Sequence, residues 1–151
     1  MENYDCLKLE NQLCFPLYVC AKEVVRQYKP FLDEIDLTYT QYIAMMVMWE
    51  QKEITVKGLG EYLFLDSGTL TPVLKHLEKK GYVERTRSKE DERNLIISLT
   101  SEGEALKEKA LSVPGKVSQC VSLNADDAKE LYRILNSIMN KWRKSESKGE
   151  E

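Results

Sequence analysis

Residues 66–99 read DSGTLTPVLKHLEKKGYVERTRSKEDERNLIISL, and their order decides the fold. Asp66 or Ser67 caps a helix that ends at Lys79-Lys80-Gly81, where glycine supplies a left-handed C-terminal stop. Tyr82 to Arg87 then alternates in polarity, Ser88 to Arg93 forms a polar tip, and Asn94 to Leu99 alternates again. That pattern predicts a β-hairpin with a long charged tip. Just upstream, Val56 to Tyr62 predicts a shorter helix with Leu59 and Leu63 turned inward, joined to the next by Phe64-Leu65. Helix, short turn, helix and basic-tipped hairpin is the order of a winged helix-turn-helix.

Working outward, apolar residues at Leu9, Leu13, Leu17, Val24, Tyr28 and Phe31 fall mostly at helical spacing. Pro16 fits that helix only if it starts near Gln12 or Leu13, because a proline lacks the amide needed beyond the first turn. Cys14 then lies in the first turn. Thr38 to Gln41 is a capping box opening a helix through Ile43–Trp49. Ser101 to Glu104 is a second box, opening a fifth helix that Pro114-Gly115 interrupts; a final helix follows Asn124. In it Ala128, Leu131, Leu135, Ile138 and Trp142 step by 3, 4, 3 and 4. This is either an ordinary amphipathic face on the chain's own core or the seam of a helix pair, a dimer interface built from the two chain ends.

The expected fold is therefore mainly α with a small β-wing: a winged helix-turn-helix with N- and C-terminal dimerisation helices. Residues 1–36 are assigned to a sensor and dimerisation helix, 37–100 to the DNA-binding region, 101–143 to C-terminal dimerisation helices and 144–151 to a disordered tail, within one compact domain. With 151 residues, 42% apolar, and seven Gly and four Pro, the composition excludes disordered and collagen-like classes. The longest apolar run, Leu13 to Ala21, stops at Lys22, short of a membrane span, and MENYDCLKLE is no secretory signal. A cytoplasmic protein without membrane partners is expected. Cys6, Cys14, Cys20 and Cys120 are then thiols by default; their spacings match no zinc pattern and there is one histidine, so neither metal nor cofactor is expected.

DNA-contact candidates follow from the helix-turn-helix. Ser67, Thr69 and Thr71 are short side chains near a helix N-terminus, which suit close approach to phosphate or base edges. Lys75 lies on the same exposed face with His76 beside it, and the hairpin adds Arg85, Arg87 and Arg93. Between Lys75 and Arg93 seven basic residues face five acidic ones, and the net charge is −3, so charge alone supports a nucleic-acid partner weakly. Arg93, at the tip, suits minor-groove insertion.

The run Asp66–Lys75, with Asp91-Glu-Arg-Asn94 at the tip, resembles the MarR family of winged-helix repressors. The resemblance implies that Asp91 orients the wing for the DNA-reaching Arg93. Gln12-Leu-Cys-Phe-Pro-Leu-Tyr18, with Tyr28-Lys-Pro30 and Leu37-Thr-Tyr-Thr-Gln-Tyr42, narrows it to the organic-hydroperoxide sensors, over about Leu9 to Leu135. Pro16 departs from that pattern, which otherwise carries an apolar residue such as alanine or leucine.

Cys14 has features of a reactive thiol. The dipole and free amides of a first helical turn favour a thiolate, and Phe15 and Tyr18 give an apolar approach. The resemblance implies that Tyr28 and Tyr39 supply hydroxyl donors, with Tyr18 contributed by a partner subunit. A thiolate so held becomes a sulfenic acid on attack by an organic hydroperoxide. Cys120 stands where the resemblance places a resolving cysteine; otherwise it is a core cysteine, or a small thiol caps the sulfenic acid. Cys20 is about 240° round the helix from Cys14 and is expected, like Cys6, to be a bystander.

The resulting expectation is a homodimeric, non-enzymatic repressor that binds palindromic operator DNA when reduced and releases it when Cys14 is oxidised. Alternatives are a broader thiol-based regulator, a MarR-type repressor released by a phenolic ligand, and a thiol peroxidase. The last requires a thioredoxin-like βαβ pattern, which the sequence does not display.

Overall fold

The computed structural model describes residues 4–146, with side chains through residue 143. Two compact units divide after Val117. In the first, 3-10 turns at Tyr4–Leu7 and Leu9–Asn11 precede α1, Cys14–Asp33. Leu13 caps α1 without a side-chain bond, so Pro16 occupies the third helical position, where an amide would have no intrahelical acceptor. Pro30 does sit in the interior; it forgoes one backbone bond, and the helix ends a turn later at Asp33.

The core forms around α2, Tyr39–Gln51. Thr38 Oγ1 accepts from the Gln41 amide while Gln41 Oε1 accepts from the Thr38 amide, closing the expected capping box. Tyr42, Ala44, Met45, Val47, Met48 and Trp49 are all buried, as befits a helix surrounded by others. Strand β1, Glu53–Thr55, leads into α3, Val56–Leu63, and α4, Ser67–Lys79. Thr55 and Asp66 cap these helices through Oγ1 to the Gly58 amide and Oδ1 to the Thr69 amide. Gly81, at φ +80°, turns the chain into the hairpin of β2, Val83–Arg87, and β3, Leu95–Leu99.

The sheet has three strands, not the two of the expected hairpin. Its order is β1-β3-β2, all antiparallel, with Ile54 opposite Ile97 and Arg85 opposite Ile97 from the other side. Two further expectations are corrected. Helix α5, Ser101–Ala110, is capped by Thr100 rather than Ser101. Thr100 Oγ1 accepts from the Gly103 amide and donates to the Gly81 carbonyl, a tertiary bond that selects it over its neighbour. The break after α5 falls at Leu111-Ser112, and Pro114 lies in the first turn of α6, Val113–Cys120, which a proline tolerates.

In the second unit, Asn124 Oδ1 accepts from the amides of Asp126 and Asp127 to start α7, Ala125–Glu146. No α7 side chain described is buried; Leu131 and Trp142 of the 3-4 seam are 44% and 56% exposed. The first three residues of the expected tail are helical, and the rest of it lies outside the described residues.

Candidate functional site

Helix α4 has two faces. Leu70, Leu74 and Leu77 are buried, while Ser67, Thr69, Thr71, Lys75 and His76 are exposed together on the other side. At its start Asp66 Oδ2 also takes a bond from Thr69 Oγ1, and the Thr69 amide holds the Asp66 carboxyl below its usual range. Thr71 Oγ1 donates to the Ser67 carbonyl, and Pro72 has no amide to offer Gly68. The helix thus presents short polar side chains at its leading end, with the Gly68 carbonyl lacking its usual intrahelical amide.

The wing tip is held by its own backbone. Asp91 Oδ1 accepts from the Arg93 amide at 3.0 Å, Asp91 Oδ2 from Asn94 Nδ2 at 3.4 Å, and Ser88 Oγ from the Glu90 and Asp91 amides. The aspartate therefore shapes the turn that carries exposed Arg93. Arg87 is exposed and Nη1 donates to the Glu92 carbonyl across the hairpin. Arg85 is paired within the chain. Its Nε and Nη2 donate to Glu78 Oε2 at 2.9 and 2.6 Å and its amide to Oε1 at 3.3 Å. The guanidinium is thus committed to α4, bracing the wing against the helix, and the bonds from Arg85 hold the Glu78 carboxyl below its usual range. Sequence reasoning counted Glu78 only as a negative charge; a partner seven residues on, across a turn, leaves no periodic signal.

The thiol site is built on α1. Cys14 is its first residue and is exposed, as are Phe15 and Tyr18, and Lys22 Nζ lies 5.5 Å from the Tyr18 ring centre. Gln12 Nε2 donates to the Cys6 and Lys8 carbonyls, tying the N-terminal turns to the start of α1. Lys8, Leu9, Glu10 and Phe15 line a shallow groove there.

At the far end of α1, the Tyr28 ring stands 5.0 Å from Tyr39 and 5.8 Å from Tyr42, which contacts Trp49 in turn. Burial, with Tyr28 adding to it, pushes the Tyr39 and Tyr42 phenols up, so both remain protonated donors at neutral pH. Tyr42 was not among the expected pocket residues. Fourteen residues of helix separate Cys14 from Tyr28, about 21 Å at 1.5 Å per residue. Cys14 and Tyr28 therefore do not meet within one chain. Tyr18, one turn on, is the neighbour of Cys14, and Tyr28 and Tyr39 are out of its reach.

All four cysteines are exposed, with Cys120 closing α6 and Cys6 in the first 3-10 turn. Among the described residues no group of His, Cys, Asp and Glu could hold a metal, and no helix is long and apolar enough to cross a membrane.

Comparison with known proteins bears on this geometry. A family model described as transcriptional regulator SarA/Rot matches residues 26–110. An organic hydroperoxide resistance transcriptional regulator of Bacillus subtilis (strain 168) is 49% identical over 140 residues, 92% of this chain and 95% of the relative. Solved structures of AbfR superpose closely. Reduced AbfR bound to DNA is 31% identical with a TM-score of 0.78, covering 94% of this chain and 97% of that one. Disulfide-formed AbfR is 35% identical with a TM-score of 0.62, covering 88% and 93%. Wild-type MarR from E. coli is 26% identical with a TM-score of 0.70, covering 84% and 96%. With over half its length matched by the family model and near-complete mutual coverage with an organic-hydroperoxide-resistance regulator, the chain belongs to the SarA/Rot family of transcriptional regulators, among the MarR-type winged helices.

Proposed function

We propose that the chain is a homodimeric, cytoplasmic repressor, not an enzyme, that binds palindromic operator DNA when reduced and releases it when Cys14 is oxidised by an organic hydroperoxide. The observation that carries this reading is an exposed, free thiol at the first position of a helix whose other end turns directly into the winged helix-turn-helix. The names of the hydroperoxide-resistance relative and of reduced, DNA-bound AbfR support it.

A dimer is supported by the apolar side chains left exposed at both ends, Leu13 at the cap of α1 with Leu17 and Tyr18 on it, and Leu131, Tyr132 and Trp142 on α7. It also supplies what one chain lacks: the phenols of Tyr28 and Tyr39 can serve Cys14 only from the partner. In the reaction, the thiolate attacks the terminal oxygen of the peroxide. The O–O bond breaks, the sulfur is oxidised to a sulfenic acid, and the organic fragment leaves as an alcohol after taking a proton. A phenol donor suits the departing oxygen.

Cys120 is proposed as the resolving thiol: its sulfur attacks the sulfenic sulfur, forming a disulfide and releasing water. The existence of a disulfide-formed AbfR supports this two-cysteine route. Peroxide-treated protein should then run as a dimer on non-reducing gels, and Cys120→Ser should abolish that band; a band that persists makes Cys120 structural.

DNA contact is proposed for Ser67, Thr69, Thr71, Lys75 and His76 of α4 and for Arg87 and Arg93 of the wing, with Asp91 shaping the tip. Arg93→Ala should weaken operator binding by ~1–3 kcal/mol in a gel-shift titration, and unchanged affinity would remove the tip from the interface. The reading as a whole is tested by titrating the reduced protein onto a palindromic operator with and without cumene hydroperoxide. Release that a thiol reductant reverses is expected; indifference to the oxidant overturns it.

A further inference from the structure

The last residues of α4 are fastened to the turn between α1 and α2. Lys80, the C-cap of α4, sends its side chain across to Asp36, where Nζ donates to the carbonyl oxygen and pairs with Oδ2 at 3.1 Å. It also donates to Gln41 Oε1 at 3.4 Å. Both acceptors are constrained. Asp36 holds a left-handed backbone at φ +52°, a conformation a non-glycine residue keeps only when its surroundings enforce it. Gln41 is 5% exposed, the one buried polar residue described, and the same Oε1 closes the capping box of α2.

Tyr28 on one side of this turn packs against Tyr39 and Tyr42 on the other, so the three rings span the α1–α2 corner that Lys80 grips. Tyr39 and Tyr42 flank Gln41 on either side in sequence. Any shift of the rings that changes the angle of the corner must either break the Lys80 contacts or drag the end of α4 with it. Lys80 ties the two together, anchored at its base by its own amide to the His76 carbonyl and at its tip by three oxygens.

We infer that Lys80 is a positioning residue that transmits the state of the tyrosine cluster to the recognition helix, so that release on oxidation depends on it. The inference rests on the proposed sensor function. Lys80 touches no oxidant and acts only through Asp36 and Gln41.

The test compares operator affinity of the full-length protein before and after cumene hydroperoxide, for wild type, Lys80→Met, Lys80→Arg and Lys29→Met. Cys14 oxidation is followed in parallel by loss of titratable thiol. Lys29 pairs with Asp33 near the same corner without touching α4, and so controls for loss of charge. Wild type and Lys29→Met should lose about 100-fold in affinity on oxidation, a coupling of ordinary allosteric size. Lys80→Met should lose less than about tenfold although its Cys14 oxidises as fast, and Lys80→Arg should recover most of the wild-type response. If oxidised Lys80→Met is released as fully as wild type, the transmission role is wrong. If wild type itself keeps its affinity with Cys14 oxidised, the sensor reading fails first and takes this inference with it.

Discussion

Cys14→Ser is expected to bind operator within about twofold of wild type and to show no release at any concentration of organic hydroperoxide that empties the wild-type complex. The side chain is exposed at the start of α1, so exchanging sulfur for oxygen removes no core contact, and surface changes of this kind cost within about 0.5 kcal/mol. The chemistry, by contrast, is lost outright, since a hydroxyl has no accessible sulfenic state. The difference between the two proteins should be about 100-fold in apparent affinity under oxidant, equal to about 2.7 kcal/mol. Gel shifts with matched protein and operator concentrations read it directly. Release of the serine variant by peroxide would move the sensor to another cysteine, with Cys20 exposed on the same helix.

Gly103→Ala is expected to cost about 3 kcal/mol of folding stability or more, at the upper end of what overpacking does. A Cβ there would stand 2.1 Å from the Tyr82 carbonyl oxygen and 2.7 Å from Leu99 Cδ1. Backbone cannot swing aside like a flexible side chain. Retreat of α5 is blocked as well, because the Gly103 carbonyl accepts the buried Trp49 indole N–H at 2.8 Å. In a chain of this size the loss corresponds to a melting point lower by about 6–12 °C. Gly115→Ala is the matched comparison: a Cβ at this α6 position meets nothing within 4 Å, and the substitution should be neutral or raise stability by up to about 0.5–1 kcal/mol, the entropic cost of a helical glycine. Thermal unfolding followed by circular dichroism separates the two, and equal melting points would show that the hairpin–α5 junction yields.

The helices were legible because each carries a local signal: Thr38 with Gln41, Asp66 before its helix, Gly81 after it. What escaped was decided by contacts distant in sequence. Glu53–Thr55 is too short to display alternation, and it is a strand only because Leu95–Leu99 lies open beside it. Thr100 and Ser101 both offer a hydroxyl to α5, and the carbonyl of Gly81 chooses between them. Arg85 reads as one more basic residue until Glu78 is seen to hold it. The same limit applies to the thiol site. The motif residues were identifiable, but only the helical rise, about 21 Å between Cys14 and Tyr28, shows that those two stand apart within one chain.

The central position of β3 bears on how such proteins can be recombined. A chimaera that imports a relative's wing by exchanging only 82–99 would strip Glu53–Thr55 of its native neighbour, leaving Ile54 facing a foreign residue in place of Ile97. Transplanted DNA preference should therefore travel intact only when the three-residue strand between α2 and α3 is carried along, making the smallest exchangeable cassette a discontinuous one.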